Sequence, residues 1–448
     1  MRAVHAARVV FGQELARKAI GGIGIRVAGA IFGFAFNVVL ARALGKAGTG
    51  TVMFYLNFGT MMGLIATSGM DVVGLRELSR SEHDRLGAEM IFGRLLCNAF
   101  LSAIFFTVGA AAFLFLFGAS VAGTVNGSIW LASALVLFLT VFQKCCSDWL
   151  IGIHEFAASQ VVFYFINRLA SIVLLFTALV FFGAAADFPA LCVLIYAAGL
   201  FLAVIFGLRR AVAHFSWPKI ASAVRPSFPL LGDGISCGMQ NAAFIALNLS
   251  PFVLLGWLSN ISELGIFGVS QRLVALMVLV LTTISQFAMR DFARASGQGE
   301  FAALTRSLTT SARLTCAAAI PITLCLVVFA PFWILVFGKA FAGAAPTLAL
   351  LSIGLCAQCL GMPFQSALLA TNHERSARNV TFVCAAVGIA LNTVLIPRLG
   401  AEGAAIGTGV GLALQSLGHA MRVLSLLSVR VDVAHLRIIP AHIAAVAT

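Results

Sequence analysis

Twelve long apolar runs constrain this chain more than any other feature of its sequence. Each run is about 20 residues or longer, enough to cross a bilayer as one α-helix, whereas a β-barrel would show alternating segments of about ten residues. With 61% hydrophobic and 10% charged residues and a mean hydropathy of +1.03, a soluble core could not keep so much apolar surface away from water. The sequence therefore predicts an all-α, polytopic membrane protein.

The apolar runs also predict how the chain is threaded through the bilayer. Of the 29 Lys and Arg residues, 22 fall in segments that alternate onto one side and 4 in segments on the other side. Because cytosolic loops carry the excess of positive charge, both termini are predicted to be cytosolic. The net charge of +13 is then a topology signal and does not indicate nucleic-acid binding. The predicted spans are 19–43, 50–73, 91–118, 127–151, 160–183, 188–208, 229–257, 264–289, 312–337, 345–370, 376–397 and 402–426.

Similar glycine-containing turns suggest that the chain is built from two related halves. Residues 44–50, 260–268 and 399–407 follow or precede spans with a related Leu-Gly pattern, although shared turn chemistry could produce the same echo. Six spans per half would relate the halves by an axis along the membrane normal, with a binding site between them. We predict six-helix lobes at 1–208 and 229–448, joined by a basic, proline-containing interfacial linker at 209–228.

The first span carries an arginine inside its apolar stretch. Arg26 lies eleven residues before Asn37, so both lie on one helix face together with Gly33. A charge within a bilayer is costly unless it pairs, faces water or reaches the interface, which makes Arg26 a candidate for lining a wet cavity. It also lies roughly 11 Å from the end of its span at 1.5 Å per residue, so its long side chain could reach the interface instead.

Other polar residues within spans extend the candidate site. The predicted substrate-binding residues are Arg26, Arg272, Arg168, Asn37, Gln240 and Asn241, and Asp233 is the candidate for ion coupling. More arginines than carboxylates in such a cavity favour an anionic substrate, because guanidinium is always charged and binds phosphate oxygens in pairs. Structural roles are predicted for the Lys144 and Asp148 pair at i, i+4 and for Gln358, Gln415 and His419, which can bond neighbouring helices.

No part of the sequence indicates catalysis or a bound cofactor. Cys356 and Cys359 have the CxxC spacing of some metal sites, but they lie within an apolar run, so free thiols are predicted. There is also no glycine-rich nucleotide-binding loop. We therefore predict no catalytic residue, no metal and no cofactor.

Several short motifs resemble one family of membrane transporters. They are ARALG at 41–45 after the Arg26 span, GLRELSR at 74–80, LGIFGVSQR at 264–272, ATN at 370–372 and NTVLIPRLGAEGAAIG at 392–407. In this order and spacing, the chain resembles the polysaccharide (oligosaccharide-lipid) flippases of the multidrug/oligosaccharidyl-lipid/polysaccharide exporter superfamily.

The resemblance implies a function and a set of partners. Members alternate the access of two six-helix lobes to a central cationic cavity, and Arg26 and Arg272 match basic positions in that cavity. The implied substrate is an undecaprenyl-pyrophosphate-linked oligosaccharide for polysaccharide or lipopolysaccharide biosynthesis, carried across the bacterial inner membrane among membrane lipids. Proton or sodium coupling is implied as well, and no nucleic acid.

Two other functions compete with this interpretation. A cation-coupled multidrug exporter would have the same fold, but would be expected to depend on carboxylates such as Asp233 rather than on Arg26 and Arg272. A membrane glycosyltransferase or polymerase should show acidic or metal-binding residues on a large external loop, and the predicted external loops are short and contain few acids.

Overall fold

The computed structural model describes residues 2–81, 84–117, 127–182, 188–215, 219–220, 223–298, 301–371, 373–426, 429–432 and 437–440. The side chains of residues 2–20, 85, 114–117, 182, 429–432 and 437–440, and of some positions between 233 and 301, lie outside this description. Within these ranges the chain is almost wholly helical, which confirms the predicted all-α class. The short strands β1, Val429–Asp432, and β2, Arg437–Pro440, pair antiparallel with Val429 opposite Pro440.

The helices follow the predicted apolar runs along the chain. Up to residue 213 they are α1 (Arg2–Ala66), α2 (Met70–Arg80), α3 (Arg85–Phe117), α4 (Gly127–Gly152), α5 (Phe156–Gln160), a π-helix (Val161–Ile166), α6 (Asn167–Phe182) and α7 (Phe188–Ala213). After it they are α8 (Phe228–Leu258), α9 (Ile261–Gly297), α10 (Phe301–Val328), α11 (Ala330–Leu335), a 3₁₀ helix (Lys339–Ala344), α12 (Ala345–Ala370) and α13 (Glu374–Leu426).

The helix lengths agree with a twelve-span membrane protein. Among the described residues, 10 helical segments are long and apolar enough to cross a membrane. Two of them, Gly21–Ala66 with 46 residues and Glu374–Leu426 with 53, are about twice the length that one crossing needs. Each is divided by a glycine with positive φ, Gly45 at 64° and Gly400 at 55°, a conformation that costs other residues energy. The two long segments therefore account for two spans each.

The predicted second span requires one correction. It was placed at 50–73, but α1 ends at Ala66 and a turn separates it from α2. Ser68 and Gly69 in this turn have φ values of 46° and 75°, which no helix accommodates. The apolar run does not reveal this break because hydropathy continues through it. Its consequence is that Asp71 begins a separate helix in place of ending the span.

Backbone contacts divide the chain into two compact units, residues 1–44 with 51–242, and residues 45–50 with 243–448. In the first unit, the buried Trp149 of α4 donates a hydrogen bond from Nε1 to the carbonyl oxygen of Met70 at 3.0 Å and packs on Phe92. In the second unit, α12 and α13 approach so closely that a Cβ at Gly354 would overlap the backbone of Gly409. The lobe boundaries at 208 and 229 stay a prediction.

The three related turns pack against one another within the second unit. A Cβ at Gly50 would overlap the carbonyl oxygen of Ile261, and one at Gly265 would overlap that of Lys46. The Glu263 side chain lies beside Gly400 and accepts a hydrogen bond from the N–H of Ala401 at 3.0 Å. A carboxylate there satisfies a free N–H at the start of a helix. The Leu-Gly turns thus serve close packing as well as reversal of the chain.

Candidate functional site

Arg26 lies in a polar contact between α1 and the helix that follows α5. Its Nε donates a hydrogen bond to Oε1 of Gln160 at 2.6 Å, and its guanidinium lies over the ring of Tyr164, 5.1 Å from the centroid. Both of these contacts are with neutral groups, and they orient the guanidinium. The side chain is half-buried. The structure thus shows an arginine held by neighbouring protein groups inside an apolar span.

Glycines on α1 allow this contact. A Cβ at Gly29 would overlap the carbonyl oxygen of Tyr164, and a Cβ at Gly22 would lie 2.7 Å from the ring of Phe156. One turn after Gly29, Gly33 leaves the space into which Arg168 extends, since a Cβ there would lie 2.9 Å from Nη1 of Arg168. Small residues let membrane helices approach closely. The glycines of the first span therefore form a face on which a second helix packs closely.

A π-helical segment lies between the partners of this seam. Gln160 ends α5, Tyr164 lies in the π-helix Val161–Ile166, and Arg168 lies in the first turn of α6. An extra residue per turn is uncommon and is found frequently at functional sites. The segment widens the helix where it meets Arg26, and places Gln160, Tyr164 and Arg168 along the glycine face of α1. We call Arg26, Gly33, Gln160, Tyr164 and Arg168 the arginine seam.

Asn37 lies on the same side of α1 but bonds within its own helix. Its Nδ2 donates to the carbonyl oxygen of Gly33 at 2.6 Å, and the residue is 8% exposed. Asn167, beside Arg168, is buried and accepts a hydrogen bond from the hydroxyl of Ser171 at 3.1 Å. The seam therefore continues into buried amides at one end, while Arg26 and Arg168 carry its charge.

The candidates farther along the chain are described less fully. Asn241 is exposed on α8, and the side chains of Asp233 and Gln240 on the same helix lie outside the described residues. In the second unit, Arg272 on α9 is half-buried with a buried Nε. Its neighbour Gln271 donates to the carbonyl oxygen of Asn248 at 3.5 Å. The ion-coupling role of Asp233 and the shared cavity of Arg26 and Arg272 stay predictions.

Lys144 has a partner that the sequence did not predict. The i, i+4 contact with Asp148 is present, and Nζ also lies 3.4 Å from Oδ2 of Asp71 on α2. The Asp71 side chain is 2% exposed. One lysine thus lies between two carboxylates, which supports a structural role in joining α2 to α4. Asp71 is the one acidic residue in an otherwise apolar run. This feature of the sequence could have identified it as a candidate ion-pair partner.

Two polar residues predicted to have structural roles bond between the two parts of α13 that Gly400 separates. Gln415 donates from Nε2 to the Thr381 hydroxyl at 3.1 Å, and Nε2 of His419 lies 3.4 Å from the carbonyl oxygen of Ala377. The hydrogen bond described at Gln358 is accepted by its backbone oxygen from the hydroxyl of Ser416, so the role of the Gln358 side chain stays a prediction. The described cysteines are free thiols. Among the described residues, no group of three His, Cys, Asp or Glu side chains could hold a metal ion.

The arginine seam has the chemistry of an anion site. Two guanidinium groups lie along one helix pair, and the partners identified for Arg26 are an amide oxygen and an aromatic ring. Gln160 and Tyr164 were missed by sequence reasoning, although Gln160, Tyr164 and Arg168 follow one another at intervals of four residues. That spacing places them on one face of a regular helix.

A family model described as polysaccharide biosynthesis protein matches residues 15–290 of the chain. The match covers the arginine seam, α8 and most of α9. Among curated proteins, no sequence matches the chain.

Solved structures of transporters have a similar fold. An inward-facing multidrug resistance MATE family transporter of the MOP superfamily aligns with a TM-score of 0.72 at 17% identity, covering 91% of this chain and 98% of that one. The lipid II flippase MurJ in its inward closed conformation aligns with 0.69 at 13% identity, covering 90% and 87%. A MOP superfamily transporter from Pyrococcus furiosus, with a binding pocket of reverse polarity, aligns with 0.64 at 15% identity, covering 92% and 95%.

Proposed function

Since the chain belongs to the polysaccharide biosynthesis protein family and shares the fold of MOP superfamily transporters, we propose that it is a flippase for a polyprenyl-pyrophosphate-linked oligosaccharide. It is a multi-pass membrane protein with a transporter fold. We place it in the bacterial inner membrane with both termini cytosolic. Its substrate is an undecaprenyl-pyrophosphate-linked oligosaccharide for lipopolysaccharide or another surface polymer. Alternating access of the two proposed lobes, 1–208 and 229–448, moves the headgroup to the outer leaflet.

The arginine seam is the observation that carries this proposal. Arg26 is half-buried within a span, and Gln160 and Tyr164 orient its guanidinium. An arginine within a membrane segment is a candidate functional group by default, because a charge there is costly to keep. A pyrophosphate supplies several oxygen acceptors to a guanidinium fork. In the proposed mechanism, Arg26, Arg168 and Arg272 bind the pyrophosphate, while Asn37, Gln240 and Asn241 bind sugar hydroxyls.

Transport is coupled in this proposal to a proton or sodium ion, with Asp233 as the coupling residue. No covalent bond of the substrate is made or broken during transport in this proposal, so the substrate crosses the membrane chemically unchanged. A fixed guanidinium charge suits this task because it stays protonated whichever leaflet the site faces. In this proposal, binding of the coupling ion after the lipid has left allows the empty site to return to the side from which the substrate binds.

The test replaces Arg26 and Arg272 singly with Gln in cells that make a lipid-linked surface polymer. Each variant should lower the transport rate at least about tenfold, the effect of about 1.4 kcal/mol of lost binding. Lipid-linked sugar should then accumulate where an externally added glycosidase cannot reach it. Arg398→Gln is the matched control, because Arg398 is exposed beside Gly400. Normal polymer in both variants at unchanged protein level would contradict the proposal.

A multidrug exporter is the second candidate, because the MATE transporter structure aligns over 91% of this chain. An exporter of organic cations would depend on a carboxylate, so Asp233→Asn should abolish export while Arg26→Gln should leave it intact. The flippase proposal requires Arg26→Gln to lower movement of the lipid-linked sugar. Asp233→Asn should lower it as well because Asp233 is the proposed coupling residue, so Arg26→Gln is the variant that separates the two functions. Measuring ethidium efflux and sugar-lipid accumulation in the same pair of variants separates the two functions.

A further inference from the structure

A cavity of about 670 Å³ lies within the first unit. It is bounded by the end of α1, by α3 from Asn98 to Phe106, by residues 226–228 and by α8 from Leu231 to Ala242. Its most exposed side chains are apolar, with Phe105 73% and Phe228 78% exposed. We call this cavity the α3–α8 groove. It is concave, unlike the isolated apolar side chains that face lipid elsewhere on the described helices.

Polar groups of the α3–α8 groove are already hydrogen-bonded within the protein. Asn98 donates from Nδ2 to the carbonyl oxygen of Ser227 at 2.9 Å and accepts from the Ser227 N–H at 3.0 Å. The hydroxyl of Ser102 donates to the carbonyl oxygen of Ala66 at 2.6 Å and lies 3.0 Å from that of Ser68. Satisfied polar groups have little left to offer a polar ligand. The surface that the groove offers to a ligand is therefore hydrocarbon.

Close backbone contacts fix which face of α8 borders the groove. Cβ atoms at Gly69 or Gly234 would overlap the facing backbone or side chain, and one at Gly238 would lie 2.7 Å from the nitrogen of Gly69. The turn after α1 is thereby pressed against α8, and Ile235 and Met239, one turn apart, line the groove. At 100° per residue, the positions of Asp233 and Gln240 lie on the opposite face. One helix therefore has a hydrocarbon face and a face of polar positions.

Positive charge lies at one end of the groove. Arg94 is exposed on α3 one turn before Asn98, and Arg225 is exposed next to Pro226, which lines the groove. The Asn98–Ser227 hydrogen bonds join these two segments. Two cations at the mouth of an apolar groove complement a molecule with a phosphate at one end and a long hydrocarbon chain behind it.

We propose that the α3–α8 groove is the docking site for the polyprenyl chain of the lipid-linked substrate. In this docked state, before the pyrophosphate reaches Arg26, the chain lies along Leu101, Ile235 and Met239, and its phosphates lie beside Arg94 and Arg225, just before the start of α8. Burial of methylene groups against these side chains favours a long chain over a short one. The inference rests on the proposed function, because it adds an earlier docking step for the same substrate at a second place. It differs from the arginine seam in residues and in the chemistry recognised.

The test compares undecaprenyl pyrophosphate with geranyl pyrophosphate, which has the same headgroup on a short chain. Affinities for the full-length protein in nanodiscs are measured for wild type, Ile235→Trp and Met239→Trp. Filling the groove should reduce the preference for the long chain about tenfold, as expected when a few methylene groups lose their burial. Affinity for geranyl pyrophosphate should not change. Leu131→Trp is the matched control, since Leu131 is 75% exposed on α4 away from the groove.

A rim variant tests the other end of the docked lipid. Arg94→Gln combined with Arg225→Gln should lower affinity for both probes by a similar factor, because both carry the pyrophosphate. A preference for the long chain that survives both groove-filling variants would overturn the groove assignment and leave the flippase proposal standing. Failure of wild type to bind either probe would overturn the proposed function itself.

Photolabelling of the wild-type protein answers the same question without a substitution that could disturb folding. An undecaprenyl pyrophosphate bearing a diazirine midway along its chain should label peptides that contain Leu101 or Ile235. Unlabelled undecaprenyl pyrophosphate should suppress the labelling, whereas phosphatidylglycerol at the same concentration should not. Equal suppression by phosphatidylglycerol would identify an ordinary acyl-chain site and overturn the proposal, as would labelling confined to other peptides.

Discussion

Arg26 and Lys144 are both basic side chains within spans of the first unit, but their partners differ in charge. Lys144 lies between the carboxylates of Asp71 and Asp148, whereas Arg26 is held by the amide of Gln160 and the ring of Tyr164. The lysine is compensated by its neighbours and joins helices. The arginine is the residue for which we propose an anionic ligand. The comparison indicates that the groups around a charge in a membrane span bear on whether its role is structural or functional.

The largest expected effect comes from removing the compensated charge. Lys144→Met leaves the buried carboxylate of Asp71 and the half-buried carboxylate of Asp148 without the cation between them, and should lower the free energy of unfolding by about 3–5 kcal/mol, as loss of one partner from a buried ion pair does. Thermal unfolding of the purified protein measures this loss. Lys339→Met is the control, because Lys339 is exposed.

The same cluster offers a rescue. Adding Asp71→Asn and Asp148→Asn to Lys144→Met removes every charge, and should recover a large part of the lost stability. An unfolding temperature that Lys144→Met leaves unchanged, or a triple variant less stable than the single one, would show that Lys144 is not held by its carboxylates in this way.

The next largest effect tests the packing that forms the arginine seam. Gly29→Ala places a methyl group against the carbonyl oxygen of Tyr164, and should cost about 1–3 kcal/mol because backbone has to move. Gly24→Ala is the control on the same helix, since no atom lies within 4 Å of a Cβ there. Equal unfolding temperatures for Gly29→Ala and Gly24→Ala would contradict the close contact between α1 and the backbone of Tyr164.

A conservative change at Arg26 should have a smaller effect. Arg26→Lys keeps the positive charge but loses the planar fork and its stacking on Tyr164. We expect transport of the lipid-linked sugar to fall about tenfold, equivalent to about 1.4 kcal/mol, with thermal stability nearly unchanged. Lys144→Arg, which preserves charge between two carboxylates, is the counterpart. Lys144→Arg should leave transport intact. A larger loss of transport in Lys144→Arg than in Arg26→Lys would contradict the assignment of Arg26 as functional and of Lys144 as structural.

The smallest effect is expected at Gly33. A Cβ there would lie 2.9 Å from Nη1 of Arg168, and a flexible side chain can move aside at little cost. Gly33→Ala should therefore leave the unfolding temperature within the error of Gly24→Ala, yet slow transport severalfold by displacing the guanidinium. Transport at the wild-type rate would exclude Arg168 from the binding site.

Local patterns predicted much of the fold. Hydropathy gave the spans because each helix must satisfy its own backbone hydrogen bonds in the bilayer, so one run of residues carries the whole signal. Leu-Gly pairs marked the turns at Gly45 and Gly400, where positive φ favours glycine. The i, i+4 spacing predicted the contact between Lys144 and Asp148. None of these required knowledge of a distant residue.

The partners of each charge were decided only by tertiary structure. Gln160 meets Arg26 across 134 residues, and Asp71 reaches Lys144 from a different helix. Which faces meet depends on small residues such as Gly29, on the π-helix before α6 and on the break at Ser68 and Gly69, all of which change helix register or direction. The sequence by itself determined that charges lie inside the membrane spans. Long-range packing determined which of those charges are neutralised, because electrostatic partners are set by three-dimensional distance rather than by separation along the chain.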